Sequence, residues 1–440
     1  MDFIHISGNA ETLLFLGFAM LAGLMMTRLI KPLGLPAVTA YLVAGLLIGP
    51  CCLGKLGLGF ASFEQVGALS IISDVALGFI AFSIGNEFRL SQLKKTGKQA
   101  AVIGVIQALA ATVLVDLLLL AAYFIFDLGE KIGPATCITL GAIATATAPA
   151  ATLMVVNQYK AKGPLTSILL PIVALDDAVG LVVFAVSIGI AKTLHSGQAM
   201  SVVTTLVNPL IETVGSLLLG GLMGLLFAWI ERMFHSNTKR MGISITFVLF
   251  TVALSMLEID IPGSEIKIGF SSLLVCMMLG TVFCNVCEFS GDIMDRVDRW
   301  TAPLFVLFFV LSGAELDLRV FASLTVVLIG VAYMVARSAG KYFGASISAR
   351  AMKCEPQICK YLGITLLPQA GVALGMSATA AAELGEEGTI IRSIVLFAVL
   401  VYELVGPVLT KMALTKAGEI QPRPEGNDRS RFKPQPKQDA

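Results

Sequence analysis

The sequence predicts an all-α polytopic membrane protein of about thirteen transmembrane helices, built as inverted-topology repeats with two broken crossing helices. Three observations carry that expectation. Of 440 residues, 56% are hydrophobic and only 14% are charged, against about 25% charged in a soluble globular domain; the mean hydropathy is +0.85. Apolar runs long enough to cross a bilayer as helices recur along almost the whole chain. Two of those runs are interrupted by proline and glycine, in places that correspond seven spans apart. No soluble domain is in view to support enzymatic chemistry, so the chain is not read as an enzyme. No cofactor and no nucleic-acid partner is expected. The net charge of +1 is uninformative, because in a membrane protein the distribution of charge matters more than its sum.

Taken in order, the candidate spans lie near 11–30, 35–54, 66–86, 98–126, 132–157, 165–191, 203–230, 241–257, 266–286, 301–314, 320–349, 357–382 and 389–412. The tenth is the shortest. The acidic N-terminus MDFIHISGNAE lacks the basic stretch and cleavage site of a signal peptide, so the first span is expected to stay. Basic residues set the orientation. With the N-terminus outside, the inside loops carry sixteen Lys and Arg and the tail seven, while the outside loops carry six. That asymmetry predicts an N-terminus outside, a cytoplasmic C-terminus and a multi-pass protein of the cell membrane, its partner being the lipid bilayer. Residues 413–440 are polar and proline-rich and are expected to be a disordered cytoplasmic tail. The eight cysteines sit mostly in or beside apolar runs; Cys51–Cys52 and Cys284–Cys287 complete no zinc pattern and read as buried thiols.

Two segments look alike. FIAFSIGNEFRL (79–90) and FFVLSGAELDLR (308–319) each place phenylalanines before Gly-x-Glu and then alternate hydrophobic and charged residues. GLPAVTAYLVAGLLIGP and GFSSLLVCMMLGTVFCN share their spacing more weakly. Each partner lies seven spans later, and an odd shift reverses direction across the membrane. The chain therefore divides into an extra helix (1–30), a first inverted repeat (31–195), linking helices (196–264) and a second repeat (265–412). Inverted repeats are characteristic of secondary transporters, with the site near the midplane. In the fifth span, AIATATAPAATLMVV, Pro149 removes a backbone donor, and Thr145 and Thr147 can bond freed carbonyls. In the twelfth, GITLLPQAGVALGMS, Pro368 is followed by Gln369 and Gly371. Paired interruptions of this kind point to a site built from discontinuous helices.

Asp176 and Asp177 lie side by side in the apolar run SILLPIVALDDAVGLVVFAVSIGI. A carboxylate at that depth costs about 2.5–3.5 kcal/mol to insert, so the pair must be paired, protonated or bound to a cation. Adjacent helical residues point about 100° apart; one aspartate can face a buried cation while the other faces an aqueous cavity. The candidate cations are Lys341 and Arg337 in VARSAGKYFGAS, four residues apart on one helix face. Small neighbours, Ser338, Ala339, Gly340 and Gly344, would let that helix approach another closely. Lysine can release its proton in such a place, and arginine cannot. One aspartate that holds either a proton or a small monovalent metal ion, but not both, is the simplest basis for exchanging the two. Asp74 is a further candidate for ion access. Asp116 and Glu403 are other intramembrane acids, while Glu87 and Glu315 sit at span ends.

These residues resemble the monovalent cation:proton antiporters of the NapA/NhaA/Kef type. LPAVTAYLVAGLLIGP is similar to the opening helix of that family, FIAFSIGNEFRLSQL to its F-x-x-G-x-E segment, TATAPA to its broken helix, LDDAVG to its aspartate pair and GKYFGA to its lysine helix. The likeness covers about 30–412 and is closest to the NapA-like branch. It implies a homodimer, with a dimerisation domain and a core domain that moves like an elevator. It implies that Asp177 binds the transported cation (Na⁺, or Li⁺ or K⁺) and the proton, that Asp176 partners Lys341 as a proton switch, and that Thr145 and Thr147 line the crossing. Branches with two aspartates are electrogenic. One departure is LLPQAGVAL, where relatives often carry Arg and Glu after the proline.

The reading is thus a sodium/proton antiporter, and the likeness implies its electrogenic form. The alternatives are a potassium/proton antiporter or Kef-like potassium efflux system, and an organic anion symporter. A Kef-like system would carry a nucleotide-binding domain after the last span, where this sequence has a short tail. The aspartate pair with its intramembrane lysine argues against the symporter.

Overall fold

The computed structural model describes residues 8–33, 35–57, 59–86, 90–126, 132–196, 208–257, 259–260, 267–287, 290–316, 318–319 and 323–420. Sixteen helices run in chain order: α1 (Gly8–Ile30), α2 (Ala37–Ile48), α3 (Phe63–Gly67), α4 (Ser70–Asn86), α5 (Leu90–Phe126), α6 (Pro134–Ile143), α7 (Pro149–Tyr159), α8 (Pro164–Ser196), α9 (Asn208–Glu231), α10 (Asn237–Ser255), α11 (Ser272–Val286), α12 (Ser290–Glu315), α13 (Leu324–Ala351), α14 (Pro356–Thr365), α15 (Gly371–Glu383) and α16 (Gly385–Lys416). The short α3 aside, eleven continuous helices and two interrupted pairs, α6/α7 and α14/α15, match the all-α expectation. A two-residue antiparallel pairing, Ile259–Asp260 with Lys267–Ile268, is the only strand contact among the described residues.

Several boundaries differ from the sequence reading, the tenth span's start by the most. The tenth span is no stub: α12 begins at Ser290, eleven residues before the expected 301. The charged stretch GDIMDRVDRW reads as a loop, but it is the amphipathic first part of the helix. Ile293, Met294 and Val297 are buried, and Asp298 accepts a hydrogen bond from Ser83 of α4 at 3.0 Å. The ninth span starts late, at Ser272, where Ser271 caps it. At the other end α16 runs to Lys416, four residues past the expected boundary; the rest of the proposed tail, 421–440, lies outside the described residues.

The helices form two bundles. In one, which we call the scaffold, α2 packs on α1 and α12, and α11 on α4, α9 and α10. In the other, the core, α5 packs along α13, α8 along α5 and α6, and α16 along α13, α14 and α15. The bundles meet where α2 touches α7 and α16, where α4 touches α7, and where α8 touches α9. Large apolar side chains such as Leu13, Leu14, Phe124, Leu222, Trp229 and Leu328 face outward, as a surface solvated by lipid requires.

Two close approaches in the scaffold repeat each other. A Cβ on Gly45 would strike the carbonyl oxygen of Val310, and one on Gly313 the carbonyl oxygen of Leu42. A Cβ on Gly280 would strike the carbonyl oxygen of Phe82, and one on Gly85 that of Met277. In all four cases the struck carbonyl belongs to the residue three before the opposing glycine. Gly45 and Gly280 stand eleven residues after Gly34 and Gly269, in the two segments of similar spacing. Gly85 and Gly313 are the glycines of the two Gly-x-Glu motifs. The α2–α12 and α4–α11 contacts are thus one contact built twice, with the helices' sequence roles exchanged. Only a residue without a side chain permits backbones to meet this closely.

Candidate functional site

Proline sets the geometry of the core. Pro149 stands at the first position of α7, where its missing N–H costs nothing, and it pushes Ala148 out of the helical region to φ −84, ψ 103. Beyond α6 the Thr145 and Ala146 N–H groups close two tighter turns on the Ala142 and Ile143 carbonyls, at 3.1 and 3.2 Å, before the chain reaches Ala148 outside the helical region. Pro368 lies between α14 and α15, before the latter opens at Gly371, and Ala370 is held at φ −156, ψ −140. The two extended segments touch: the Ala148 N–H donates to the Pro368 carbonyl at 2.8 Å. Backbone irregularity at such depth survives only where protein groups satisfy it.

Arg337 satisfies most of it. Fully buried, it donates through Nε to the Ala144 carbonyl at 3.1 Å, through one Nη to Ala146 at 2.6 Å and through the other to Leu367 at 2.7 Å. One guanidinium thus ties the carbonyl ends of both broken helices together, where their dipoles are negative. Its other face lies 4.6 Å from the centroid of the Tyr402 ring. Tyr402 is fixed by donating to the Met334 carbonyl at 2.8 Å and by Ser338, also at 2.8 Å. Gln369 does similar work, donating to the Ile143 carbonyl at 3.0 Å and lying 2.9 Å from the Tyr333 hydroxyl. Of the two candidate cations, then, Arg337 gives three hydrogen bonds to backbone carbonyls, and it forms no ion pair with a carboxylate among the described side chains.

Lys341, one turn further along α13, takes the aspartate. Its Nζ lies 2.9 Å from Asp176 Oδ2, and both side chains are fully buried. The same ammonium also donates to the Thr145 carbonyl at 2.6 Å and to Thr147 Oγ1 at 2.9 Å. Thr147 passes a proton on, donating to Asp176 Oδ2 at 2.6 Å. Gln107 of α5 donates to Asp176 Oδ1. Glycines make room for this: a Cβ on Gly340 would strike the backbone of Ala111, and one on Gly344 the backbone of Gln107. A wholly buried ion pair loses its solvation and is tolerated when further hydrogen bonds complete it. Here both oxygens of Asp176 are engaged, and a metal ion at this carboxylate would have to share it with Lys341, Thr147 and Gln107.

The remaining sequence candidates fall as follows. The backbone of Asp177 continues α8 beside Asp176, and its side chain lies outside those described; Gly371 opens α15. Thr145 turns its hydroxyl back to the Ala142 carbonyl at 2.7 Å and offers only its own carbonyl to Lys341. Asp74 is not brought to the crossing; half-buried in α4, it lies within electrostatic reach of Glu315 at the end of α12. Glu87 lies outside the described residues. No disulfide joins cysteines among the described residues; Cys284 and Cys287 are buried, and the Cys287 thiol lies 3.4 Å from Glu231. Sequence reading missed Gln107, Tyr333 and Tyr402. An amide in the apolar run VIGVIQALAAT was a usable signal, because a buried amide must find partners.

Comparison with known proteins follows from this geometry. The family model described as sodium/hydrogen exchanger, transmembrane, matches residues 16–416. The Na⁺/H⁺ antiporter NhaS4 of Synechocystis is 24% identical over 80% of this chain and 84% of its own. The K⁺/H⁺ antiporter subunit KhtU of Bacillus subtilis is 23% identical over 84% of this chain and 85% of its own. In fold, the chain is similar to the sodium proton antiporter MjNhaP1 of Methanocaldococcus jannaschii, with a TM-score of 0.72 and 18% identity over 95% of this chain and 100% of that one.

Proposed function

The chain belongs to the transmembrane sodium/hydrogen exchanger family and is a cation/proton antiporter, not an enzyme; on that premise we propose that it exchanges Na⁺ for H⁺ electrogenically across the plasma membrane, with Asp177 and Asp176 dividing the work. The observation that carries this reading is Asp176 paired with Lys341 and hydrogen-bonded on both oxygens. With Lys341, Thr147 and Gln107 on its oxygens, it holds a cation already, and that cation is the protein's own lysine. Asp177, turned about 100° around α8, is left as the ligand for Na⁺ or H⁺. Hard oxygens suit such an ion, and the crossing supplies threonine and backbone carbonyl oxygens. Neutralising one carboxylate by either a proton or a metal ion couples the two fluxes.

Lys341 makes the exchange sensitive to membrane potential in this reading. If Lys341 parts from Asp176 and loses its proton during the cycle, charge moves with it; each elementary charge crossing the full field is worth about 2.3 kcal/mol per 100 mV. The core, carrying Asp176 and Lys341, then slides against the scaffold to expose the site to either side. The N-terminus lies outside and the C-terminus in the cytoplasm. Two copies associate through the scaffold, whose α1 and α9 leave broad apolar faces uncovered. Potassium is the competing cation, favoured by the likeness to a protein named as a K⁺/H⁺ antiporter subunit. Proteoliposomes with an imposed proton gradient, scanned with Na⁺, Li⁺ and K⁺, test the reading. Na⁺-driven proton movement is expected, and it should vanish in Asp177→Asn. Full activity in that variant would remove Asp177 from the mechanism, and a response to K⁺ alone would replace the cation.

A further inference from the structure

The helix that carries the aspartates is capped from elsewhere in the chain. α8 opens at Pro164, whose missing N–H is no loss at a first position. The residue before it is Gly163, which has no side chain to accept from the next two donors. Those donors are met all the same. The Leu165 N–H, the Thr166 N–H (at 2.8 Å) and the Thr166 hydroxyl all donate to the carboxylate of Glu419, and the Lys162 N–H donates to the Glu419 carbonyl at 3.2 Å. A capping side chain usually belongs to the residue just before its helix; this one comes from beyond the end of α16. Glu419 is buried, and a Cβ on Gly163 would strike its side chain.

Glu419 is itself held in place. Past α16 the chain turns through Gly418 at φ +78, with the Gly418 N–H on the Thr415 carbonyl and the Glu419 N–H on the Leu414 carbonyl, both at 3.0 Å. This pair of hydrogen bonds is how a left-handed glycine ends a helix, and it delivers the next residue to α8. Leu414 and Ala417 pack with Leu165, Ile168 and Leu169 in one buried cluster. α16 also reaches the second interruption, where Gly406 packs against Pro368 and Tyr402 lies against Arg337. Glu419 therefore joins the helix that bears Asp176 and Asp177 to the helix that seats the second crossing. Between the cap and the aspartates stands Pro171, which removes one rung of α8. The first turn is tied to the rest of its own helix by that much less, and it leans on the outside anchor.

We propose that Glu419 is a positioning residue of the exchange: by capping α8 from the end of α16 it fixes the aspartate pair against the crossing and so sets the affinity for the transported cation. It touches no ion. The aspartates stand about 15 Å beyond Thr166 at the rise of an α-helix, and what Glu419 governs is where α8 stands. Asp176 meets Thr147 of the first crossing at 2.6 Å and accepts from Gln107 of α5. Such bonds weaken steeply with misplacement, whereas the apolar packing around them is non-directional. A small shift of α8 is therefore felt first at the aspartate. The effect on cation affinity rests on the antiport reading; the anchoring of α8 does not.

Two full-length variants separate charge from place. Glu419→Gln keeps the shape of the side chain and removes its charge, while Gly163→Ala keeps the charge and pushes the carboxyl off the α8 donors. In proteoliposomes at fixed pH, the Na⁺ concentration for half-maximal exchange is expected to shift in both by about fivefold or more, the lower end of ordinary coupling between sites. The maximal rate per folded protein should change less. Amide hydrogen exchange of the same purified proteins needs no transport: faster exchange is expected to run from Leu165 past Pro171 to Asp176, whereas a merely local cap would loosen the first turn and stop there. Unchanged half-saturation, or loosening confined to the first turn, would overturn the proposal even if thermal stability fell. A shift in Glu419→Gln alone would also overturn it, by making the effect one of charge. Should Gly163→Ala fail to fold, Glu419→Ala takes its place, read by the same two measurements. If the natural chain exchanged no cation for protons, the antiport reading would fall, and the hydrogen-exchange pattern would still decide the anchoring of α8.

Discussion

In the scaffold, α2 meets α12 and α4 meets α11 by backbone against backbone, through Gly45, Gly313, Gly85 and Gly280. In the core, the corresponding work is done by side chains: Arg337 and Lys341 reach across from α13 to two interrupted helices and to Asp176. The contrast is physical as well as descriptive. Glycine contacts have one good geometry and nothing to ionise, which suits a part that stays still. A lysine bound to one carboxylate, one hydroxyl and one carbonyl can be released by moving a single proton, which suits a part that changes state. Within the core the same contrast recurs one turn apart. Arg337, which cannot lose its proton, holds the fold of the crossing, and Lys341, which can, holds the aspartate.

The largest effect should come from the scaffold. Gly280→Leu forces a side chain into the Phe82 carbonyl; a loss above about 4 kcal/mol is expected, in the range reserved for severe overpacking, read as the absence of a monodisperse folded peak in detergent. A mild thermal shift would mean that the α4–α11 contact is slack, and the division into a stiff and a switchable bundle would weaken. Next is Arg337→Met. It leaves three buried carbonyls without donors and should destabilise by about 3 kcal/mol or more, with Arg337→Lys recovering a part because lysine lacks the fork. If Arg337→Met were instead stable and merely changed cation affinity, arginine would move from the fold to the site. The smallest is Gln107→Leu, which removes the donor to Asp176 Oδ1 and costs about 1–3 kcal/mol. It should also shift the pH profile of exchange, a change no glycine variant that folds should share.

The sequence exposed the two interruptions because proline leaves no choice of backbone, and it exposed the aspartate pair because charge in an apolar run has a cost. It also showed both glycine spacings, though not that they meet in pairs; that needs the fold. The resemblance named Lys341 as the partner of Asp176, whereas the spacing alone does not separate it from Arg337, since residues four apart share a face and only the position along α13 decides. Gln107 escaped because an amide carries no charge to flag it. The start of α12 escaped because an amphipathic helix turn at the membrane surface and a charged loop have the same composition.

The most direct test of the account is Na⁺/H⁺ exchange driven by a membrane potential in proteoliposomes, comparing the natural chain with Lys341→Ala. Lys341 is held as the group that gives up Asp176 and moves charge during the cycle, so the variant should lose most of the voltage-driven component or show a displaced pH profile. Voltage-driven exchange with unchanged rate and unchanged pH dependence in Lys341→Ala would contradict it.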